Sequence, residues 1–134
     1  MRYIKWMIII TSLFTVCHSV HGSEKEGYKG SDLLNFCNDA IDVANNKFHA
    51  EEDKVFAYGW CMGFVIGIRE TNNTFHSLYR SNSNKFLGFC EAGDVSNGQM
   101  VRILVKYLND NPEKLHLYPG ALAIEAFSNA FPCR

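Results

Sequence analysis

Much that would signal chemistry is missing from this chain. It has no glycine-rich loop of the kind that cradles phosphate, and no serine stands in a G-x-S-x-G elbow. No two cysteines have C-x-x-C spacing, which removes zinc ribbons and thioredoxin-like redox sites. Neither sign of charge is in excess. A net charge of −1 and a pI near 6.5 argue against a nucleic-acid binder working through a basic face. Strand-like alternation and internal repeats are also missing. Against these absences stand 134 residues, 47% hydrophobic and 20% charged, the composition of one globular domain rather than a disordered chain.

The N-terminus has its own pattern. Arg2 and Lys5 precede a largely apolar run from Trp6 to Val16, and Val20-His21-Gly22 offers a cleavage point before Ser23. The run is short of the roughly 20 apolar residues that a spanning helix needs. Residues 1–22 therefore read as a signal peptide, which places the mature protein in the periplasm or outside the cell. A retained anchor, or lipidation at Cys17, is the alternative. Residues 23–30 read as a flexible tail, and 31–134 as the folded domain.

Four cysteines remain beyond Cys17: Cys37, Cys61, Cys90 and Cys133. An even number behind a signal peptide implies two disulfides formed in an oxidising compartment.

Helical periodicity fills the domain. Ser31 suits an N-cap for a helix over 32–45, with Leu33, Leu34, Cys37, Ile41 and Ala44 on one face. A second helix starts near Ala50, with Glu51, Glu52 and Asp53 in its first turn, and runs to about Tyr79. Its stretch 55–68 carries no charge, and Gly59, Gly63 and Gly67 recur every four residues. Each costs about 1 kcal/mol relative to alanine, so the stripe predicts close approach of another helix, with a homodimer seam as the alternative. Ser96 and Gln99 form a capping box for a helix over 97–109 that buries Met100, Val101, Leu104, Val105 and Leu108. Pro119 opens a last helix to Ala130, with Leu122, Ala123, Ala126, Phe127 and Ala130 inward. The fold class is all-α, a compact bundle of about four helices.

The helix reading also selects a disulfide pairing. In a hairpin, residues equidistant from the turn lie side by side. Cys37 and Cys61 are each twelve residues from a turn at His49, about 18 Å along each helix. Cys90 and Cys133 flank the last hairpin comparably. The expected pairs are Cys37–Cys61 and Cys90–Cys133.

Chemistry is poorly supported. His49-x-x-Glu52 lacks a companion metal motif, and a solvated acidic helix start explains the run better. His116 suits a bond to a helix-end carbonyl better than catalysis, and Trp60 suits the core better than a ligand platform. No catalytic, cofactor or metal site is expected. Function then falls to a surface. Phe75, His76, Tyr79 and Arg80 combine aromatics with arginine in a polar stretch, the usual anchors of a protein interface. Phe86 lies further along the same connection. The competing reading has Phe75 and Tyr79 continuing the core stripe. Asn72-Asn73-Thr74 is an N-glycosylation sequon, relevant in a eukaryotic host.

Larger motifs carry a resemblance. Cys61-x-Gly63-Phe64-x-x-Gly67 is followed by Cys90, then by Gly98-Gln99-x-Val101-Arg102 and Val105-Lys106-Tyr107-Leu108. Asn111-Pro112-Glu113-x-Leu115-His116 and the terminal Ala130-Phe131-Pro132-Cys133 complete the set. From Cys37 to Cys133 the chain resembles the Rap/Tai family of small periplasmic immunity proteins of bacterial type VI secretion. It departs at Glu91-Ala92, where Leu-Pro is usual, and at Tyr118-Pro119-Gly120, where a Pro-Ala start is usual. The resemblance implies a helical periplasmic protein, without activity of its own, that binds and sterically blocks a peptidoglycan amidase toxin. Its partners would be that cognate amidase effector and a second copy of itself. Neither nucleic acid nor stable membrane insertion after cleavage is expected. The alternative is a secreted or envelope binding protein that uses the scaffold for a different partner.

Overall fold

The computed structural model describes residues 27–45, 52–79, 88–91 and 93–133. The segment read as a signal peptide, most of that read as a tail, His49, Ala50, Glu51, Arg80, Phe86 and Ala92 lie outside these residues. Among the described residues there are four α-helices and no strand: α1 (Gly30–Asn45), α2 (Glu52–Tyr79), α3 (Asn97–Asp110) and α4 (Pro119–Ala130). A 3-10 turn, Pro112–Lys114, lies between α3 and α4. Among the described residues, no helix is long and apolar enough to cross a membrane.

The core is the meeting of one stripe from each helix. Leu33, Cys37 and Ala40 of α1 face Cys61 and Val65 of α2. Met100, Leu104 and Leu108 of α3 meet Leu122, Ala126 and Phe127 of α4 in the same cluster. The α3 face holds as expected, with Arg102 and Lys106 in solvent. Ser96 Oγ accepts from the Gln99 N–H at 3.2 Å, the expected cap. Two expected positions move outward. Ala44 and Ala130 are exposed because each is the last turn of a helix that has already passed the core. Ala40 takes the inward place on α1.

Both expected disulfides are present, Cys37–Cys61 and Cys90–Cys133. They close loops of different length, with sequence separations of 24 and 43. Loop-closure entropy assigns them about 3.5 and about 4 kcal/mol.

The start of α1 is set by tertiary contacts, not by the expected Ser31 cap. The Lys29 N–H donates to Asp32 Oδ2 at 2.8 Å. The next two N–H groups, of Gly30 and Ser31, each donate at 3.0 Å to the carbonyls of Leu117 and Leu115. Orphan donors of a helix end are thus satisfied by the α3–α4 connection. Gly30 is fully packed there. A Cβ at this position would overlap Leu122 Cδ1 and lie 3.1 Å from the Leu115 carbonyl oxygen. Close backbone approach therefore requires glycine at 30.

The stripe Gly59, Gly63 and Gly67 behaves in the opposite way. All three are exposed, and a Cβ on any of them would meet nothing within 4 Å. Among the described residues, the expected close packing of a neighbouring helix does not occur. The reason is rotational: Ala57, Cys61 and Val65 hold the inward face of α2, which turns the glycine stripe to solvent.

Candidate functional site

The C-terminal half of α2 outruns α1 and reaches the segment before α3. Three of its side chains, one helical face apart in register, grip that segment. Arg69 Nε donates to Glu91 Oε1 at 2.5 Å, and its Nη1 donates to Asn97 Oδ1 at 2.9 Å. Asn72 makes a two-way clamp: its Nδ2 donates to the Phe89 carbonyl at 2.9 Å, and its Oδ1 accepts from the Phe89 N–H at 3.1 Å. His76 Nε2 lies 3.6 Å from Cys90 Sγ and 3.9 Å from Cys133 Sγ. Spacings of three and four residues put successive partners on one side of the helix.

The gripped segment is anchored from below as well. Phe89 is buried and meets Phe127 edge-on, with ring centroids 5.2 Å apart. The Cys90 N–H donates to the Phe131 carbonyl at 2.9 Å, and Ser128 Oγ donates to the Gly88 carbonyl at 3.2 Å. The Cys90–Cys133 disulfide therefore caps a junction that other bonds already hold. Its two cysteines are exposed, whereas Cys37 and Cys61 are fully buried.

The sequence-derived anchors divide around this junction. Phe75 is 44% exposed, so it does not continue the core stripe. His76 is half-buried and turned to the disulfide. Tyr79 is the last residue of α2, and its side chain and Arg80 lie outside the described residues. Leu78, which sequence reasoning passed over, is 70% exposed beside Phe75. Asn72 was also missed. Read as part of a sequon, it is instead buried, and the nitrogen a glycan would occupy donates to Phe89. Glu91, next to Cys90, is the partner of Arg69.

Other candidates resolve more simply. Glu52 and Asp53 are exposed in the first turn of α2, as a solvated helix start should be. Trp60 is half-buried at the edge of the core. It stacks on Phe64 at 5.5 Å and tilts against Phe36 at 4.7 Å. Tyr28 and Phe56 extend this aromatic face to solvent. His116 is exposed and makes no hydrogen bond among the described residues, because backbone carbonyls on either side of it do the joining to α1. Lys114 secures that connection by donating to Tyr107 Oη at 2.9 Å and Glu125 Oε1 at 2.6 Å. The lysine hydrogen bond holds the Glu125 carboxyl below its usual range, while burial pushes the Tyr107 hydroxyl up.

The arrangement is that of a rigid helical scaffold with apolar side chains presented at one tip. The sequence profile of the Rap1a immunity proteins matches residues 29–133. The chain belongs to the Rap1a immunity protein family. The matched span begins at Lys29, whose carbonyl accepts from the Asp32 and Leu33 N–H groups at the start of α1, and ends at the second cysteine of the exposed disulfide. The Rap1a domain is therefore the whole described bundle, and Lys29 and Gly30 belong to it. No curated protein matches the chain. Two disulfides are compatible with a location outside the cytoplasm.

Proposed function

We propose that this chain is the immunity partner of a type VI secretion effector, and that the effector is a peptidoglycan amidase. After loss of residues 1–22 it would act in the periplasm, by occupying the effector's cleft rather than by chemistry of its own. The family match over residues 29–133 carries this reading. Two further features support it. The disulfides suit an oxidising compartment, and Phe75 and Leu78 stand exposed at the tip of α2 without a core role. Apolar side chains on a rigid support lose little entropy on docking and make efficient anchors. Phe75, His76, Tyr79 and Arg80 form the proposed recognition tip, with Leu78 added.

Binding of the mature chain to a purified amidase effector tests this. Truncation of a true anchor costs at least about 2 kcal/mol, some thirtyfold in affinity. Phe75→Ala and Leu78→Ala should each weaken the complex to that extent while melting like the parent. Unchanged affinity in both would move recognition to Leu117 and Tyr118, which are also exposed. Failure of the parent to bind or inhibit any amidase effector would overturn the assignment of the effector class.

A further inference from the structure

The two disulfides differ in a way that the immunity reading does not use. Cys37–Cys61 is sealed in the core, while Cys90 and Cys133 are both exposed residues whose sulfurs lie beside an imidazole. The ligand-capable atoms of His76, Cys90 and Cys133 all lie within 4.8 Å of one another. We infer that His76, Cys90 and Cys133 form a latent site for a thiophilic divalent cation, such as zinc, which opens when a dithiol reduces the Cys90–Cys133 bridge.

The distances fit the chemistry. With Zn–S near 2.3 Å and Zn–N near 2.0 Å, the ligand atoms of a tetrahedral site stand roughly 3.5–3.8 Å apart. His76 Nε2 is already 3.6 and 3.9 Å from the two sulfurs. Only the sulfurs must separate, and their Cα atoms, 4.9 Å apart, allow this by side-chain rotation. Three protein ligands and a water complete a four-coordinate site.

The surrounding bonds keep the ligands in place once the bridge opens. Cys90 remains fixed by its own N–H to Phe131 and by its neighbours, Phe89 held by Asn72 and Glu91 held by Arg69. The Phe131 bond also holds the chain two residues before Cys133. His76 projects from the same helix as Asn72, one turn on. None of these contacts is made through the disulfide sulfurs.

A dithiol thiolate attacks Cys133 Sγ, the Cys90–Cys133 bond breaks, and Cys90 leaves as thiolate next to His76. The second thiol of the reductant then attacks the mixed disulfide and releases Cys133. Two electrons pass from the dithiol, which ends as a cyclic disulfide, and its two protons end on Cys90 and Cys133. A divalent cation displaces those two protons on binding.

The test uses the mature chain, dithiothreitol removed anaerobically after brief reduction, and Cd2+ as the probe. Alkylation should label Cys90 and Cys133 before Cys37 and Cys61. Circular dichroism should remain helical. One Cd2+ per chain should bind, with a thiolate charge-transfer band, and should slow reoxidation of the pair. His76→Ala and the size-conserving His76→Gln should each weaken Cd2+ by at least about tenfold. Cys90→Ser with Cys133→Ser should abolish the band. Opening of Cys37–Cys61 first, loss of helicity on reduction, absence of the band, or parent-like affinity in both His76 variants would each overturn the inference. This site stands or falls independently of the effector partner.

Discussion

Gly30 and the glycines at 59, 63 and 67 are the same residue in opposite circumstances. Gly30 lies where the α1 backbone presses against Leu115 and Leu122, with no room for a side chain. The three glycines of α2 are in register, yet each faces open space among the described residues. Regular spacing in sequence therefore did not mark the close contact, and an isolated glycine at the end of a polar segment did. Spacing reports which positions share a face of a helix. It does not report which face is covered. That is decided by the larger apolar residues, and on α2 Cys61 and Val65 win the inward positions.

The sharpest way to break this contrast is Gly30→Ala. The new methyl group must displace Leu122, which is fully buried, or push the Leu115 carbonyl away from the bond it accepts from Ser31. Overpacking of this kind costs about 1–3 kcal/mol. The unfolded chain loses freedom as well, a compensation of about 0.4–1 kcal/mol. The net effect should be destabilising, lowering the melting temperature by several degrees in calorimetry. A variant that melts at or above the parent would show that the α1 start does not press on the connection.

The rest of the fold divides along the same line between local and distant causes. The α3 helix was legible because its cap, Ser96, and its buried face from Met100 to Leu108 lie within one short stretch. Both disulfides were legible because hairpin geometry converts sequence distance into position. Of the surface at the end of α2, the exposure of Phe75 was legible, but Leu78 escaped notice because a lone leucine in a polar stretch has no periodic signal. The α2 grip was not legible. Asn72 acts on Phe89, seventeen residues on, and reads in sequence as a sequon. His76 acquires its meaning from Cys133, fifty-seven residues on. No local pattern encodes either contact, since each depends on how far α2 extends past α1.

On the other side of the contrast, Gly63→Ala should stabilise. The site is helical and exposed, so the substitution recovers the helix propensity that glycine lacks, about 1 kcal/mol, with no steric penalty. Thermal melting at low protein concentration is the measurement. A lower melting temperature would mean that the stripe is covered in solution.

The smallest expected effect is also the most discriminating, and it compares Gly63→Leu with Met62→Leu. Met62 is half-buried against the core, and a Met-to-Leu exchange usually costs less than about 1.5 kcal/mol. Leucine at 63 would extend into solvent, gaining somewhat less than about 1 kcal/mol in helix propensity over glycine. The Gly63 variant should therefore be no less stable than the Met62 variant, although it makes the greater change in size. The opposite order would follow if a second copy of the chain packed its backbone along Gly59, Gly63 and Gly67. Leucine would then wedge the copies apart, and the parent would sediment as a dimer where Gly63→Leu sediments as a monomer. Melting both variants across a range of concentrations separates the cases. A stripe that faces water gives melting temperatures independent of concentration, whereas a stripe that faces a copy ties stability to mass action.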